Sequence, residues 1–119
     1  MSEKSEALRK YDFLYDALAN KRGLDITALY LGEDSYVSDV FILVTANSDI
    51  HMGTLRDAAL EALHAHGFST SVEGRESLRW CLVDAGEVAV HIFSAPGREQ
   101  YKLDKLWGDA PSYHHSYRE

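Results

Sequence analysis

The histidines, the lone cysteine and an aspartate ahead of an apolar run are the residues whose types could do chemistry in this chain. His64 and His66 lie two apart near the end of a predicted helix, so their side chains diverge. His114 and His115 are adjacent near the C-terminus. None of these has the spacing of a zinc site, and no second cysteine joins Cys81, so no metal site is expected. His91 falls in the middle of a predicted strand, where an imidazole satisfied by a neighbour on the sheet face is the simpler reading and a functional contact the alternative. Cys81 sits between Trp80 and Leu82 and reads as a small sheet residue, since no cationic neighbour is placed by sequence to activate it.

Asp39 precedes VFILVTA, with Gly32 upstream, an arrangement that faintly resembles the metal-binding end of a nucleotidyltransferase. Two-metal phosphoryl transfer needs two acids at alternate positions of one strand, so that both reach the same pair of ions. The position two after Asp39 is Phe41, and the upstream Gly-Ser pair is absent. Asp39 therefore reads as a strand-start residue bonding local backbone amides. Ser48 opens a predicted helix after a strand, but no Gly-x-Ser-x-Gly surrounds it, and a helix cap is the better reading. Neither GxGxxG nor GxxxxGK[ST] occurs. No catalytic residue and no cofactor is expected.

The aromatics remain. Core packing is the first explanation for both Trp80 and Trp107. For Trp80 the competing reading is an interface anchor on a rigid hairpin, with Asp84 and Glu87 adding negative charge at its rim. The net charge of −7 points the same way: it disfavours gripping nucleic-acid phosphate and favours a basic protein partner.

The elements that must position these residues follow from periodicity. Leu8, Tyr11, Tyr15 and Leu18 predict a helix over 5–22, ended by Gly23. Residues 25–31 predict a strand, and VFILVTA at 40–46 a strand covered on both faces. Ser48 or Asp49 caps a helix with Met52, Leu55, Ala59, Ala62 and Leu63 on its buried stripe, ending at Gly67. A short strand at about 69–73 follows, expected parallel to the strand at 40–46. Residues 79–84 and 88–93 make a hairpin turning at Asp84–Glu87, with apolar residues on both faces, so either face could meet a partner. After Pro96-Gly97 a short helix carries Tyr101, Leu103, Leu106 and Trp107. The fold expected is a single α/β domain, a mixed sheet of about five strands with helices packed on it. It spans residues 1–111, with 112–119 as a flexible tail. At 119 residues, with 45% hydrophobic and 26% charged residues, one domain with a real core is what the chain can build. One cysteine excludes an internal disulfide and suits a reducing, cytoplasmic setting. The polar N-terminus predicts no signal peptide, and no apolar run is long enough for a membrane span.

Several stretches, in order, resemble the ribosomal silencing factor (Iojap) family. They are DITALYLGEDSYVSDVFILVTANS; VEG at 72–74 with Trp80, Asp84, Gly86 and VAVHIF; and Arg98, Tyr101, Leu103 and LWGDAP at 106–111. The resemblance implies a nucleotidyltransferase-like shape without catalysis, which the missing acid at Phe41 suits. It implies a translational repressor that binds ribosomal protein fourteen of the large subunit and sterically blocks joining of the small subunit. It further implies no direct nucleic-acid binding, and homodimers of some members when free. The partner-facing position that carries over best is Trp80, followed by Leu82, Asp84 and Tyr101. The chain departs from the family pattern at Ala46, where glycine is common, and at Ile50, where an arginine or similar residue is common. The alternatives are a nucleotidyltransferase-like enzyme and a homodimeric adaptor with a non-ribosomal partner.

Overall fold

A computed structural model describes the backbone over residues 3–31, 38–101 and 112–115, and side chains over 6–31 and 38–100. The predicted N-terminal helix is two helices, α1 (Glu3–Arg9) and α2 (Asp12–Asn20). The break lets both halves follow the sheet surface, so Leu8 and Tyr11 are buried together with Leu14, Tyr15 and Leu18. The Tyr15 hydroxyl ties the two together by donating to the Leu8 carbonyl at 2.6 Å. At the end of α2 the left-handed residue is Arg22 (φ 62°), not the glycine expected as the stop. Gly23 is fixed by proximity instead: a Cβ there would lie 2.7 Å from Val44 Cγ2.

Strands β1 (Leu24–Tyr30) and β2 (Val40–Ala46) pair antiparallel. Every residue of β2 is buried, as its unbroken apolar run requires of a strand covered on both faces. Helix α3 (Asp49–Ala65) begins at Ser48, whose hydroxyl accepts from the His51 N–H at 3.0 Å. It ends with the amides of Gly67 and Phe68 bonded back to the carbonyls of His64 and Leu63. Then come β3 (Ser71–Glu73), β4 (Trp80–Asp84) and β5 (Val88–Ser94). Helix α4 (Ala95–Tyr101) starts before Pro96-Gly97 rather than after them, because a proline in the first helical turn forfeits no hydrogen bond.

The sheet order is β3-β4-β5-β2-β1-β6. Strand β3 points the same way as β2, as expected, yet its neighbour is β4; the parallel partner of β2 is β5. Strand β6 (Ser112–His115) lies within the segment expected as a flexible tail and makes a sixth strand beyond the five expected. It pairs antiparallel with β1, from Leu29↔Ser112 to Ile26↔His115, and so occupies a row of β1 amides and carbonyls that β2 cannot reach.

The two faces of the sheet are unlike. One carries Ile26, Ile42, Val44, Cys81, Val83, Val90 and Ile92 into a core with the helical residues Leu14, Leu18, Leu55 and Leu63. The other carries a smaller cluster of Leu29, Phe41, Leu43, Ala89 and Phe93, with Leu31, Trp80 and Leu82 half-buried at its margin. Arg98 of α4 reaches onto this second face, donating to Thr45 Oγ1, Thr27 Oγ1 and the Asp25 carbonyl at 3.1, 3.1 and 2.6 Å. Among the described residues no helix is long and apolar enough to cross a membrane.

Candidate functional site

Strand β4 alternates half-buried and buried residues. Its period of two puts Trp80, Leu82 and Asp84 on the second face and sends Cys81 and Val83 into the helix-covered core. The structure thus brings three of the four expected site residues together on one strand. Tyr101 closes α4, and its side chain lies outside the described residues, as do Trp107 and the rest of 102–111.

The turn that ends β4 is held locally. Asp84 Oδ1 accepts from the Gly86 N–H at 2.9 Å, and the Ala85 N–H donates to the Val88 carbonyl at 2.9 Å. The start of β4 is held by main chain from two sides. A Cβ on Gly97 would collide with the Arg79 carbonyl, and one on Gly74 would lie 2.6 Å from the Trp80 carbonyl. The Arg79 carbonyl also accepts from the Ser94 N–H at 3.2 Å. Backbone approaching this closely leaves the strand little freedom to shift.

Across the hairpin, Leu82 pairs with His91 and Trp80 with Phe93, so Trp80 and His91 are diagonal neighbours on one face. The Trp80 indole Nε1–H donates to His91 Nδ1 at 3.1 Å. His91 also packs edge-on to Phe41, ring centroids 4.6 Å apart. The residue is only 7% exposed. Burial pushes its pKa down to about 4, and the nearby Asp84 carboxylate only partly offsets this. Among the described residues, His91 Nε2 is buried and has no hydrogen-bond partner.

A cleft of about 350 Å³ opens on this face, lined by Ser38, Phe41, Leu82, Asp84, Gly86, Ala89 and His91. It combines apolar walls with one acid, one hydroxyl and one imidazole. That set can seat a side chain of another protein.

The other chemical candidates resolve into structural parts. Cys81 is a free, buried thiol whose pKa burial raises, which makes it a poor nucleophile. Asp39 joins the sheet through its main chain, its N–H donating to the Glu87 carbonyl at 2.9 Å and its carbonyl accepting from Leu31 N–H at 2.7 Å. Its charge adds to burial and Glu87 in pushing the Tyr11 phenol well above its usual pKa, burial being the largest cause. His66 stacks on Phe13 and His64 bonds Thr70, while the backbone of His114 and His115 lies in β6. Among the described residues no group of three or more His, Cys, Asp or Glu is placed to hold a metal ion.

Two features escaped the sequence reading. The Trp80–His91 bond has a signal that register counting could have found, since a turn at 84–87 fixes which residues face each other across the hairpin. The Arg98 clamp joins residues 71 and 73 positions apart, and no local pattern announces it.

The family model described as ribosomal silencing factor during starvation matches residues 4–118. The ribosomal silencing factor of Bacillus subtilis is 38% identical over 96 residues, covering 80% of this chain and 81% of that protein. The one from Haemophilus influenzae is 32% identical over 97 residues, covering 81% of this chain and 95% of that protein. A crystal structure from Chromobacterium violaceum matches with a TM-score of 0.78 at 30% identity, covering 90% of this chain and 88% of that one.

Proposed function

The chain belongs to the ribosomal silencing factor family, a family of translation regulators, and on that premise we propose that it represses translation by occupying the large ribosomal subunit. It binds ribosomal protein fourteen there, and its body obstructs the incoming small subunit. The observation that carries this reading is the hairpin face. Leu82 and Asp84 line a cleft with His91, to which half-buried Trp80 is hydrogen-bonded, on a strand gripped at its start by backbone. Large aromatic anchors on rigid mounts dominate the energy of protein interfaces. A net charge of −7 suits a basic ribosomal protein and disfavours the ribosomal RNA around it. A standard interface buries roughly 800 Å² per partner, well within the surface of a domain this size. The factor works by position and turns over no substrate, acts in the cytoplasm, and pairs with a second copy when free.

The test is sedimentation of the purified protein with isolated large subunits on a gradient. Wild-type protein is expected to travel with the large subunit. Trp80→Ala should stay at the top of the gradient while remaining folded, as read by its cooperative unfolding transition. Asp84→Lys, which reverses the rim charge, should do the same. Wild-type protein that never leaves the top of the gradient would overturn the ribosomal reading and favour an adaptor for another partner. Heat released on titrating nucleotide with magnesium would instead favour the nucleotidyltransferase-like alternative.

A further inference from the structure

We infer that His91 is a hydrogen-bond donor to the docked protein: its Nε2–H meets an uncharged oxygen of a partner side chain or peptide group seated in the cleft, and Trp80 is the positioning residue that fixes the proton there. The inference rests on the docking reading above and names the group that reading leaves unassigned.

The reasoning starts from what an indole can do. Trp80 Nε1 is a donor only, so His91 Nδ1, 3.1 Å away, must accept. A neutral imidazole carries one proton, and with Nδ1 accepting, that proton is on Nε2. The ring is neutral near pH 7, because burial holds its pKa far below that value. The result is an N–H of fixed position, buried and, among the described residues, without a hydrogen-bond partner, on a residue that lines the cleft. Buried donors without acceptors are uncommon in folded proteins and point to a missing group.

The cleft selects what that group is. Asp84 lines the same cavity, and the chain as a whole is acidic, so a carboxylate or phosphate oxygen would be repelled. A hydroxyl or amide oxygen meets no such opposition. Either can accept from His91 while its own O–H or N–H turns to the Asp84 carboxylate. Phe41, Leu82 and Ala89 supply the apolar walls that make the exchange favourable once water is excluded. Nε2 itself is shielded from solvent, so the wall of the cleft must give way for the oxygen to reach it.

Two substitutions separate the ring's two nitrogens. His91→Asn keeps an acceptor near the Nδ1 position for Trp80 and removes the Nε2 donor. His91→Gln places an amide N–H near the Nε2 position. Affinity for isolated large subunits, measured by equilibrium titration, is expected to fall about tenfold for the Asn variant. For the Gln variant it should stay within about threefold of wild type. Trp80→Phe keeps an aromatic ring and drops the indole N–H. It should leave the imidazole mixed between its two tautomers, read from ring-nitrogen chemical shifts by NMR, a change that a merely structural role would not produce. Wild type that binds together with an Asn variant that binds equally well overturns the inference and leaves the docking reading standing. Wild type that does not bind overturns the docking reading, and this inference with it. Should the Asn variant fail to fold, the His91 Nε2–H resonance of the wild-type protein decides. It must move downfield and exchange more slowly when the large subunit binds, and an unchanged resonance overturns the inference.

Discussion

The two faces of the sheet were built for different ends. The helix-covered face buries Ile42, Val44, Leu55, Leu63, Val90 and Ile92 completely and without a polar atom among those side chains. The opposite face buries Thr27, Thr45 and His91 among its apolar residues, inserts Arg98, and leaves Trp80 and Leu82 half-covered at the hairpin. A largely apolar interior, with Tyr11, Tyr15 and Cys81 among its few polar members, gains most of its stability from area removed from water and asks mainly for shape. A mixed face gains less per residue, because each buried polar atom needs a partner of the right kind. The difference teaches where to look for function: the first face holds the molecule together, and the second carries groups that a purely structural sheet would have replaced with valine or leucine.

Three perturbations test this division. Truncating Leu55→Ala on the helix-covered side should cost about 4 kcal/mol of stability in chemical denaturation, with binding to large subunits unchanged for the fraction that is folded. If binding were lost at conditions where the variant is folded, the division would fail. Acid should act on the other face. The folded His91 has a pKa of about 4 against an ordinary 6.5, so between these values the unfolded chain binds the proton and the folded one does not. Its contribution is complete above about pH 6.5 and is lost as pH falls through about 4, a decline of about 3 kcal/mol. Denaturation at a series of pH values should show this slope in wild type and a flatter one in His91→Asn. An identical slope in both would mean that the titration belongs to other groups. The smallest effect belongs to Leu82→Ala. Half-buried at the margin, it should cost about 1 kcal/mol of stability or less, yet weaken binding to large subunits, measured on the same preparation.

Much of the helix-covered side was legible because its signals are local. The β2 run from Val40 to Ala46, the Ser48 cap and the alternation of β5 each show within a few residues of sequence. The break between α1 and α2 was hidden because Leu8, Tyr11, Tyr15 and Leu18 keep helical spacing straight through the bend. Strand β6 was hidden because the reason for it lies in the unpaired edge of β1, 83 residues earlier in the chain by the register Leu29↔Ser112. The candidate site was half legible. Alternation along β4 groups Trp80, Leu82 and Asp84 from sequence alone. What His91 does there depends on which nitrogen its neighbour occupies, and no residue type announces that.

The glycines that press on the carbonyls of Arg79 and Trp80 make the first residue of that hairpin a socket whose fitting can be exchanged. Its placement is dictated by backbone, so a different side chain installed at Trp80 inherits the same address and direction. A single codon therefore changes what this hairpin presents without redesigning the scaffold beneath it.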